Sequence, residues 1–397
     1  MRILYLTHVN SMDGANRSLL QLMEEMRSRH GIYPIVVCPS RGAEVSFSFA
    51  QICKDRGIEC HPMPLVWFKQ KGDKSFLARL HTALAIAKWT VYLIYRLRHI
   101  RFDLVHSNSS VIDMGAYLAL SRGVPHVWHL REFGEDDFQL KSVLGKIYER
   151  GIYRTSTCAI AISKVVEDKF KPIFLSRIRL IYNGVAPIAK SKAARHQDNV
   201  TTFCMLGRLE PNKNQMEALQ AITLLKRKTQ RPFRLLLVGK PTGQDYLASL
   251  KHYVETNGLE DYVEFVAYRK DTSQVLQKCD VGLMLSTCEA FGRVTVEYMM
   301  QNLAVIVSDT GANPEIVLNG VSGMLYPLGN VEMLADKMLQ LVENRLLLEK
   351  LAASGKQRAL THFTSIRNSD EIYTLYQSLF KKEINGKYED NCCNCLL

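Results

Sequence analysis

Short apolar runs alternate with amphipathic helical patterns along the chain, and the alternation starts again after residue 200. The runs of the first series are RILYLT, YPIVVCP, DLVHSN, VPHVWHL and TCAIAIS, and those of the second are TTFCMLGRL, FRLLLVGK, YVEFVAY, DVGLMLS and LAVIVSD. Continuous apolar runs separated by helices are typical of parallel strands that are covered on both faces of a sheet. The two series therefore predict an α/β protein with two doubly wound parallel-sheet domains.

The predicted domain limits follow from a polar interruption of this pattern. The segment PIAKSKAARHQDN, residues 187–199, has no apolar period and is predicted to be a linker. It separates a first domain over 1–186 from a second over 200–365, and a helical segment over about 366–384 follows. Because open parallel sheets bind ligands beyond the carboxyl ends of their strands, we expect the chemistry in a central cleft that both sheets face.

The positive charge of the chain is concentrated in its first half. Residues 1–190 hold 27 Lys and Arg against 16 Asp and Glu, a net charge of +11, whereas residues 191–397 hold 24 against 23, a net charge of +1. Such a half suits a phosphorylated substrate or an anionic lipid surface. We expect no nucleic-acid partner, because the sequence lacks zinc-ligand spacing, an RNA-binding aromatic signature and a basic tail.

The cysteines and the first residues predict a cytoplasmic protein. The 10 cysteines are scattered singly apart from the tail NCCNCLL, and they do not form the paired framework of a secreted domain. The opening stretch MRILYLTHVN is typical of a buried strand and turns polar too soon for a secretory signal.

The segment SFLARLHTALAIAKWTVYLIYRLRHI, residues 75–100, is the candidate for membrane contact. Arg79, Lys88, Arg96 and Arg98 interrupt it, so it lacks the ~20 consecutive apolar residues of a bilayer-spanning helix. Apolar residues recur at helical spacing, at Leu77, Leu80, Leu84, Ala87, Val91 and Ile94. Such an amphipathic helix either packs this face on the core, which is the favoured interpretation, or rests it on a membrane surface beside the basic residues.

The stretch LGRLEPNKN follows the first strand of the second domain. Gly207 permits a close turn, and Arg208 and Lys213 supply two cations ahead of the next helix. Cations and free N–H groups at a helix N-terminus converge on anions, so this loop is a candidate diphosphate site. Taken alone, it also fits a solvated basic turn, which is the commoner case.

The stretch CEAFGRVTVEYMM, residues 288–300, places Glu289 just ahead of a predicted helix and Glu297 inside it. Gly292 lets backbone N–H groups approach a ligand where the helix opens. A carboxylate repels a phosphate but accepts hydrogen bonds from hydroxyls. Phosphate on the amides, one carboxylate on a ribose and the other on a sugar is therefore an arrangement that suits a sugar nucleotide. The alternative is that both glutamates only keep the surface soluble.

Two loops of the first domain hold further candidates. The strand VPHVWHL brings His126, His129, Arg131 and Glu132 to its end. His129, at the strand exit, is predicted to contact a sugar hydroxyl or the leaving group, whereas His126 is predicted to be structural. In THVNSMDGANRSL, Gly14 precedes a helix and either touches a donor phosphate or forms an ordinary turn. The loop lacks the G-x-G-x-x-G fingerprint, so we expect no NAD, and the chain has no D-x-D metal signature.

Together these blocks resemble the family 4 glycosyltransferases of the GT-B fold, also described as glycosyl transferases group 1. The resemblance rests on GRLEPNKN, on EAFGRVTVEYM with its Glu-x7-Glu spacing and on YNGV ahead of the linker, and it spans most of the chain. It implies two Rossmann-like domains facing a central cleft, with the final helix packing back on the first domain. It also implies retaining transfer from a nucleotide-sugar donor, UDP- or GDP-linked, without a metal or other cofactor.

The resemblance assigns roles to the charged residues by their position. Arg208 and Lys213 would hold the donor diphosphate and balance its growing charge as the bond breaks. Glu297 would bind the ribose hydroxyls and Glu289 the transferred sugar. His129 matches the family's strand-end histidine near the sugar. The predicted catalytic residues are therefore His129, Glu289, Arg208 and Lys213.

The same resemblance completes the donor-binding set with residues around the glycines. The amides near Phe291 and Gly292 would meet the diphosphate, Arg293 belongs to the same set, and Gly14 would close from the first domain. The family often carries paired glycines in the first-domain loop, where this chain has only Gly14 in MDGANRS. That departure leaves the flexibility of the loop open.

The predicted acceptor is a glycan or a lipid-linked glycan of cell-surface polysaccharide or glycoconjugate synthesis. Residues 75–100 would then rest on the anionic inner face of the membrane. Two other functions stay open: a nucleotide-sugar 2-epimerase of the same architecture, and a non-catalytic nucleotide-sugar-binding protein. The second is disfavoured because both cations and both glutamates are present.

Overall fold

The computed structural model describes residues 1–42, 45, 47–135, 139–187, 199–269 and 271–384, with side chains up to residue 380. The chain forms two compact units. The N-terminal unit contains residues 1–162 and 166–184 and the chain from 365 onward, and the C-terminal unit contains residues 163–165 and 185–364. Most of the predicted linker, residues 188–198, lies outside the described residues, as does the cysteine-rich tail.

A seven-stranded parallel sheet forms the centre of the N-terminal unit. Its strands are β1 (Arg2–Leu6), β2 (Tyr33–Pro39), β3 (Glu59–Met63), β5 (Leu104–Ser107), β6 (His126–Leu130), β8 (Cys158–Ala161) and β9 (Ile178–Leu180). They lie in the order β3-β2-β1-β5-β6-β8-β9. A separate antiparallel ribbon pairs β4 (Lys69–Lys71) with β7 (Leu140–Ser142).

Helices cover both faces of this sheet. They are α1 (Gly14–His30), α2 (Phe49–Asp55), α3 (Phe76–Arg96), α4 (Met114–Arg122), α5 (Lys146–Arg154) and α6 (Lys164–Phe174). Along β1, Ile3 and Tyr5 belong to one buried cluster, which includes α1, and Leu4 and Leu6 belong to another, which includes α3 and α4. This alternation is the two-sided burial that the continuous apolar runs predict.

The C-terminal unit repeats the design with a six-stranded parallel sheet. Its strands are β10 (Thr201–Leu206), β11 (Phe233–Gly239), β12 (Val263–Ala267), β13 (Val281–Met284), β14 (Ala304–Ser308) and β15 (Met324–Tyr326), in the order β12-β11-β10-β13-β14-β15. Its helices are α7 (Gln215–Lys228), α8 (Gln244–Thr256), α9 (Ser273–Leu276), α10 (Arg293–Met300), α11 (Asn313–Ile316), α12 (Val331–Glu343) and α13 (Arg345–His362). The predicted fold class, two doubly wound α/β domains, is confirmed.

The last helix, α14 (Ser365–Ile384), belongs to the N-terminal unit and packs on α1. Its Asp370 carboxylate pairs with Arg29 at 3.0 Å and with His30 at 2.9 Å, and the Tyr373 ring stacks on the His30 ring with centroids 4.0 Å apart. Ile372 and Tyr376 of the same helix are fully buried in the core cluster of β1 and α1. The helix is therefore an integral layer of the N-terminal unit.

Helix α3 buries the face opposite to the apolar face that was predicted to pack on the core. The side chains that it buries are Thr82, Ile86, Thr90 and Leu93. The predicted apolar face is turned outward instead: Leu77 is 75% exposed, Leu84 61% and Val91 68%. The prediction that this face packs on the core is wrong, because a second face, made of two threonines and two aliphatic residues, is the buried one.

The outward face of α3 combines apolar and basic side chains. Phe76, Leu80 and Tyr95 are exposed on the helix together with the leucines and the valine, and Lys88 and Arg96 lie beside aromatic rings. None of the helices in the described part of the chain is long and apolar enough to cross a bilayer. The helix therefore carries an unusually apolar outer surface, since isolated exposed leucines are common but a contiguous row of them is not.

Candidate active site

The two loops that carry the predicted cations and glutamates leave neighbouring strands of the C-terminal sheet. The chain runs outward from β10 to β12 and then returns to place β13 directly beside β10. The strand order therefore reverses between β10 and β13, and ligands of open α/β sheets bind at such a reversal. The backbone N–H of Thr287 donates to the Asn212 carbonyl at 3.0 Å and ties the loops together.

The loop after β10 makes a close turn and then a short 3₁₀ segment at Pro211–Lys213. Gly239 of β11 lies so near that a Cβ atom there would sit 1.7 Å from the Gly207 carbonyl oxygen, which shows how tightly the turn is packed. Arg208 extends into solvent with 59% of its side chain exposed, and its Nη2 lies 3.1 Å from Glu210. The guanidinium is thus accessible to an anion.

Lys213 and Glu289 form an ion pair that joins the two loops. Both side chains are partly buried, with 24% of the lysine and 16% of the glutamate exposed. The two residues are 76 positions apart in the sequence, yet they carry the cation and one of the carboxylates that the sequence assigns to one ligand. The structure brings these two predicted residues together.

The loop after β13 ends at Gly292, where α10 begins. Gly292 adopts a left-handed conformation with φ +77°, which favours glycine. The first helical residue, Arg293, pairs through Nε with Glu297 Oε1 at 3.0 Å, and both side chains are about 15% exposed. Phe291 is buried and meets the ring of Phe363 edge to face, with centroids 5.9 Å apart. Its side chain anchors the loop, and the glycine that follows opens the helix N-terminus.

Two polar atoms beside Gly292 are buried without a hydrogen-bond partner among the described residues. They are Thr295 Oγ1 and Asn313 Oδ1, and each lies 3.3 Å from the place where a Cβ atom on Gly292 would stand. Buried polar groups are nearly always hydrogen-bonded, so an unsatisfied pair at a ligand-binding edge indicates a place for a ligand. Sequence reasoning missed both residues, although Thr295 lies within the Glu-x7-Glu segment that it singled out.

The other predicted site residues surround His129 in the N-terminal unit. His129 is fully buried at the end of β6. Its Nδ1 lies 3.0 Å from His106 Nε2 and 3.3 Å from Arg131 Nη2. The hydroxyl of Tyr376, on α14, lies 2.6 Å from His106 Nδ1. His129 Nε2 is buried and has no hydrogen-bond partner within the ranges that the structure describes.

Arg131 and Glu132, next along the chain, hold the neighbouring loops in place. Arg131 donates from Nε to Asn108 Oδ1 at 2.5 Å and from Nη1 to Asn183 Oδ1 at 2.7 Å, so it links the end of β5 to the YNGV segment. Glu132 accepts hydrogen bonds of 2.6–2.8 Å from the hydroxyls and one amide of Ser109–Ser110. Both residues position the loop backbone around His129.

Burial keeps the histidines of this region neutral. Desolvation, followed by the charge of Arg131 and then by His106, holds the pKa of His129 well below its usual range. Burial lowers the pKa of His126 to about 3, and its two ring nitrogens contact Ser107 Oγ at 2.8 Å and Ser156 Oγ at 3.0 Å. His126 thus has the satisfied environment of a structural histidine.

Gly14 begins α1, behind the loop that follows β1. A Cβ atom on Gly14 would meet nothing within 4 Å, so the space beside it is open. The loop is fastened by Asn16, whose Nδ2 donates to the carbonyls of Val9 at 3.0 Å and Ser11 at 2.7 Å. Asp13 caps the helix by accepting from the Asn16 amide at 2.8 Å. The shape of this loop depends on Asn16 and Asp13 more than on glycine.

Two family models match the chain, one on each unit. Glycosyltransferase Family 4 matches residues 12–187, and Glycosyl transferases group 1 matches residues 188–358. The chain belongs to the family 4 glycosyltransferases. The two matches follow one another directly, and the second includes both loops with their Lys213–Glu289 pair.

Relatives of this glycosyltransferase cover much of its length. An uncharacterized glycosyltransferase of Methanocaldococcus jannaschii is 27% identical over 64% of the chain and 70% of its own length. The UDP-Gal:alpha-D-GlcNAc-diphosphoundecaprenol alpha-1,3-galactosyltransferase of Escherichia coli is 24% identical over 83% of the chain and 89% of its own length. The crystal structure of Anabaena HepE in complex with UDP matches with a TM-score of 0.77 and 23% identity, over 95% of this chain and 100% of HepE. The predicted GT-B fold is confirmed.

The described residues contain no group of three or more His, Cys, Asp or Glu side chains arranged to hold a metal ion. Metal independence of this glycosyltransferase stays a prediction. Sequence reasoning did not select His106, which contacts His129, or Tyr376, which contacts His106. His106 lies in the strand run DLVHSN, so the strand-end argument used for His129 would have found it. No sequence pattern links Tyr376 to the site.

Proposed function

We propose that this glycosyltransferase moves a sugar, with retention of the anomeric configuration and without a metal, from a UDP- or GDP-sugar to a glycan or lipid-linked acceptor. The observation that carries the proposal is the Lys213–Glu289 pair at the point where the strand order of the C-terminal sheet reverses. A cation for the diphosphate and a carboxylate for sugar hydroxyls stand there side by side, and each can exchange its present partner for the donor.

In this proposal the C-terminal unit holds the donor. Arg208 and Lys213 bind the diphosphate and stabilise the negative charge that develops on it as the glycosidic bond breaks, so they take the part that a metal plays elsewhere. The α10 N-terminus adds backbone N–H groups and its partial positive charge. Glu297 accepts hydrogen bonds from the ribose, and Glu289 accepts them from the transferred sugar.

Retention of the anomeric configuration is supported by the environments of the candidate general bases, Glu289, Glu297 and His129. Inverting transfer needs a general base that takes the proton of the acceptor hydroxyl. Glu297 is paired with Arg293, Glu289 is assigned to the hydroxyls of the transferred sugar, and His129 is neutral and buried. In retaining transfer the acceptor attacks the face of the sugar from which the diphosphate leaves. The departing diphosphate oxygen itself takes the acceptor proton, and Arg208 and Lys213 stabilise the remaining negative charge of the diphosphate. His129 donates a hydrogen bond to the sugar in this proposal.

Thermal unfolding with a panel of nucleotide sugars tests the donor site. UDP-glucose, UDP-galactose, UDP-N-acetylglucosamine and GDP-mannose are compared, and one is expected to raise Tm. Arg208→Ala should abolish that shift. Arg231→Ala is the matched control, because Arg231 is also 58% exposed and ion-paired, with Glu343 at 2.9 Å, but lies away from the loops. Equal loss of the shift in both variants would contradict the assignment.

Product analysis with the stabilising donor separates the proposed transfer from its alternatives. The proposal predicts sugar transfer with the original anomeric configuration and full activity in the presence of EDTA. An altered, still nucleotide-linked sugar would identify a 2-epimerase, and binding without any product would identify a non-catalytic protein. Loss of activity in EDTA would overturn the metal-independent mechanism.

We further propose that the outer face of α3 rests on an anionic membrane, where a lipid-linked acceptor would be found. Its exposed row of Leu77, Leu80, Leu84 and Val91 is apolar, and Lys88 and Arg96 flank it. Apolar burial in the lipid boundary and attraction of basic residues to anionic lipids act together on such a helix. The Escherichia coli relative is named for a diphosphoundecaprenol-linked substrate, which supports an acceptor of this class.

Sedimentation with phosphatidylglycerol-containing vesicles tests the membrane proposal. Replacing Arg79, Lys88, Arg96 and Arg98 by Glu should release the protein from the vesicles. The control is an equal charge change on exposed residues of the C-terminal unit, made at Arg227, Lys251, Lys278 and Lys350. The control should still sediment with vesicles. Unchanged sedimentation of the α3 variant, or equal release of both, would reject the surface.

A further inference from the structure

A chain of hydrogen bonds leads from α14 to His129, and the chemistry of its members fixes where each proton lies. The Arg131 guanidinium can only donate, and its Nη2 lies 3.3 Å from His129 Nδ1. Nδ1 of His129 must therefore accept. Since His129 is neutral, its single ring proton lies on Nε2.

The hydrogen bonds continue through His106 to α14. His106 Nε2 lies 3.0 Å from the accepting Nδ1 of His129, so it must carry a proton and donate. His106 Nδ1 is then a bare lone pair, and it accepts from the Tyr376 hydroxyl at 2.6 Å. His106 is also neutral, because burial and Arg131 hold its pKa well below the usual value. One assignment of protons satisfies every contact in the chain.

The chain ends in a donor with nothing to bind. His129 Nε2 is buried and lacks a partner in the described part of the protein. An unsatisfied buried N–H costs free energy, so a site that keeps one needs an acceptor from outside. A base at this position would present a lone pair, whereas here the ring presents a hydrogen.

We propose that Tyr376 and His106 are positioning residues that hold His129 as an Nε2–H donor to an oxygen of the transferred sugar. The inference rests on the proposed function. Tyr376 matters because its proton prevents His106 from moving its own proton to Nδ1. In that other form the lone pairs of His106 Nε2 and His129 Nδ1 would face each other and turn the two rings apart.

The position of the protons is measured by NMR on protein labelled with ¹⁵N in its 11 histidines. His129→Gln and His106→Gln assign the two rings by deleting their signals. Both rings are expected to be neutral and protonated at Nε2 at pH 6.5. In Tyr376→Phe, a substantial share of His106 should carry its proton on Nδ1. A proton on Nδ1 of His129, a charged ring, or an unchanged His106 in Tyr376→Phe would overturn the inference.

Turnover of the stabilising nucleotide sugar gives the second readout. His129→Gln keeps a donor near the Nε2 position and should retain activity within about tenfold, whereas His129→Leu should lose more than that. Tyr376→Phe should lower kcat about fivefold in the wild type and leave it unchanged in the His129→Leu background. A purely structural role would instead give equal losses in both backgrounds.

Tyr373→Phe is the matched control, because Tyr373 lies one turn earlier on α14 and stacks on His30. It should not change kcat or the proton position of His106, and a loss equal to that of Tyr376→Phe would refute the specific role. If no nucleotide sugar is turned over, the proposed function fails. The NMR experiment still decides the proton positions in that case, so the two failures are distinguishable.

Discussion

The candidate site residues of the two units differ in charge and in burial. In the C-terminal unit, Lys213 and Glu289 are partly exposed and neutralise each other as an ion pair. In the N-terminal unit, His106, His129 and Tyr376 are fully buried, uncharged at the histidines and linked by hydrogen bonds. Each member of a charged pair that still reaches solvent can exchange its partner for a ligand, whereas buried neutral hydrogen bonds fix a geometry. The first arrangement suits capture of a charged donor, and the second suits a rigid contact with an uncharged sugar.

The largest effect is expected from removing the cation of the Lys213–Glu289 pair. Lys213→Ala should lower kcat with the stabilising donor by about 10²–10³, because it removes stabilisation of charge that develops on the diphosphate. Steady-state kinetics measure the change. Lys228→Ala is the control, since Lys228 is also ion-paired, with Asp336, on the same unit. Full activity of Lys213→Ala would show that the pair is structural.

A second prediction concerns acid, which the two units should resist differently. The folded N-terminal unit keeps His106, His126 and His129 neutral, and their folded pKa values lie below the unfolded value of about 6.5. The unfolded chain therefore binds more protons as the pH falls below 6.5, and stability is lost. Each histidine should cost about 1 kcal/mol between pH 6.5 and 5.5.

Asp113 opposes this loss in part. Burial raises its pKa to about 6, so the folded unit takes up a proton there that the unfolded chain does not, and this stabilises the fold at the lower pH. The net expectation is a loss of about 2 kcal/mol between pH 6.5 and 5.5. Urea unfolding followed by tryptophan fluorescence reports this unit alone, because the three tryptophans are Trp67, Trp89 and Trp128.

The C-terminal unit supplies the reference for the acid experiment. Its described histidines, His252 and His362, are exposed, so its hydrogen-exchange protection should change less over the same pH range. If the stability of the N-terminal unit did not change with pH, or if both units lost equal stability, the buried histidines would not be neutral in the folded protein.

A third prediction concerns the helix opening at Gly292. Gly292→Ala should cost about 1–2 kcal/mol of stability, because an L-residue is strained at φ +77° and its Cβ would lie 3.3 Å from two polar atoms. It should also reduce the Tm shift produced by the stabilising donor. Gly258→Ala, at φ +59° with its nearest contact at 3.7 Å, bears a similar backbone cost away from the loops. Thermal unfolding with and without donor should show an unchanged donor shift in Gly258→Ala.

The smallest effect is expected at Gly14. Gly14→Ala should change stability by no more than about 0.5 kcal/mol, because the residue has no left-handed conformation to strain and no neighbour within 4 Å of the new atom. If Gly14 approaches a donor phosphate, the substitution should still reduce the donor-induced Tm shift. An unchanged shift would remove Gly14 from the donor-binding set.

The central strands could be predicted from the sequence because burial on both faces gives continuous apolar runs. The edge strand β3 was missed for the corresponding reason: Glu59, His61 and Pro62 stand in it, and polar residues and proline are tolerated where one side of a strand lacks a partner. The three-residue strands β9 and β15 are too short to show a pattern.

The orientation of α3 and the hydrogen bond between Tyr376 and His106 could not be predicted for a different reason. The sequence shows that Leu77 and Leu84 share a face, but it does not show that Thr82 and Thr90 are among the residues that the helix buries. Tyr376 is 270 positions from His106, so their hydrogen bond depends on the packing of the whole unit. The residues that form the ion pairs of the C-terminal loops were selected from the sequence as ligands of a donor. That they pair with one another was not predicted.

The most direct measurement is a crystal structure with the nucleoside diphosphate, UDP or GDP, of the sugar nucleotide that raises Tm. We expect the diphosphate within hydrogen-bond distance of Arg208 and Lys213 at the N-terminus of α10, with the Lys213–Glu289 pair opened. A diphosphate bound elsewhere on the protein, or bound while that pair stays closed, would contradict it.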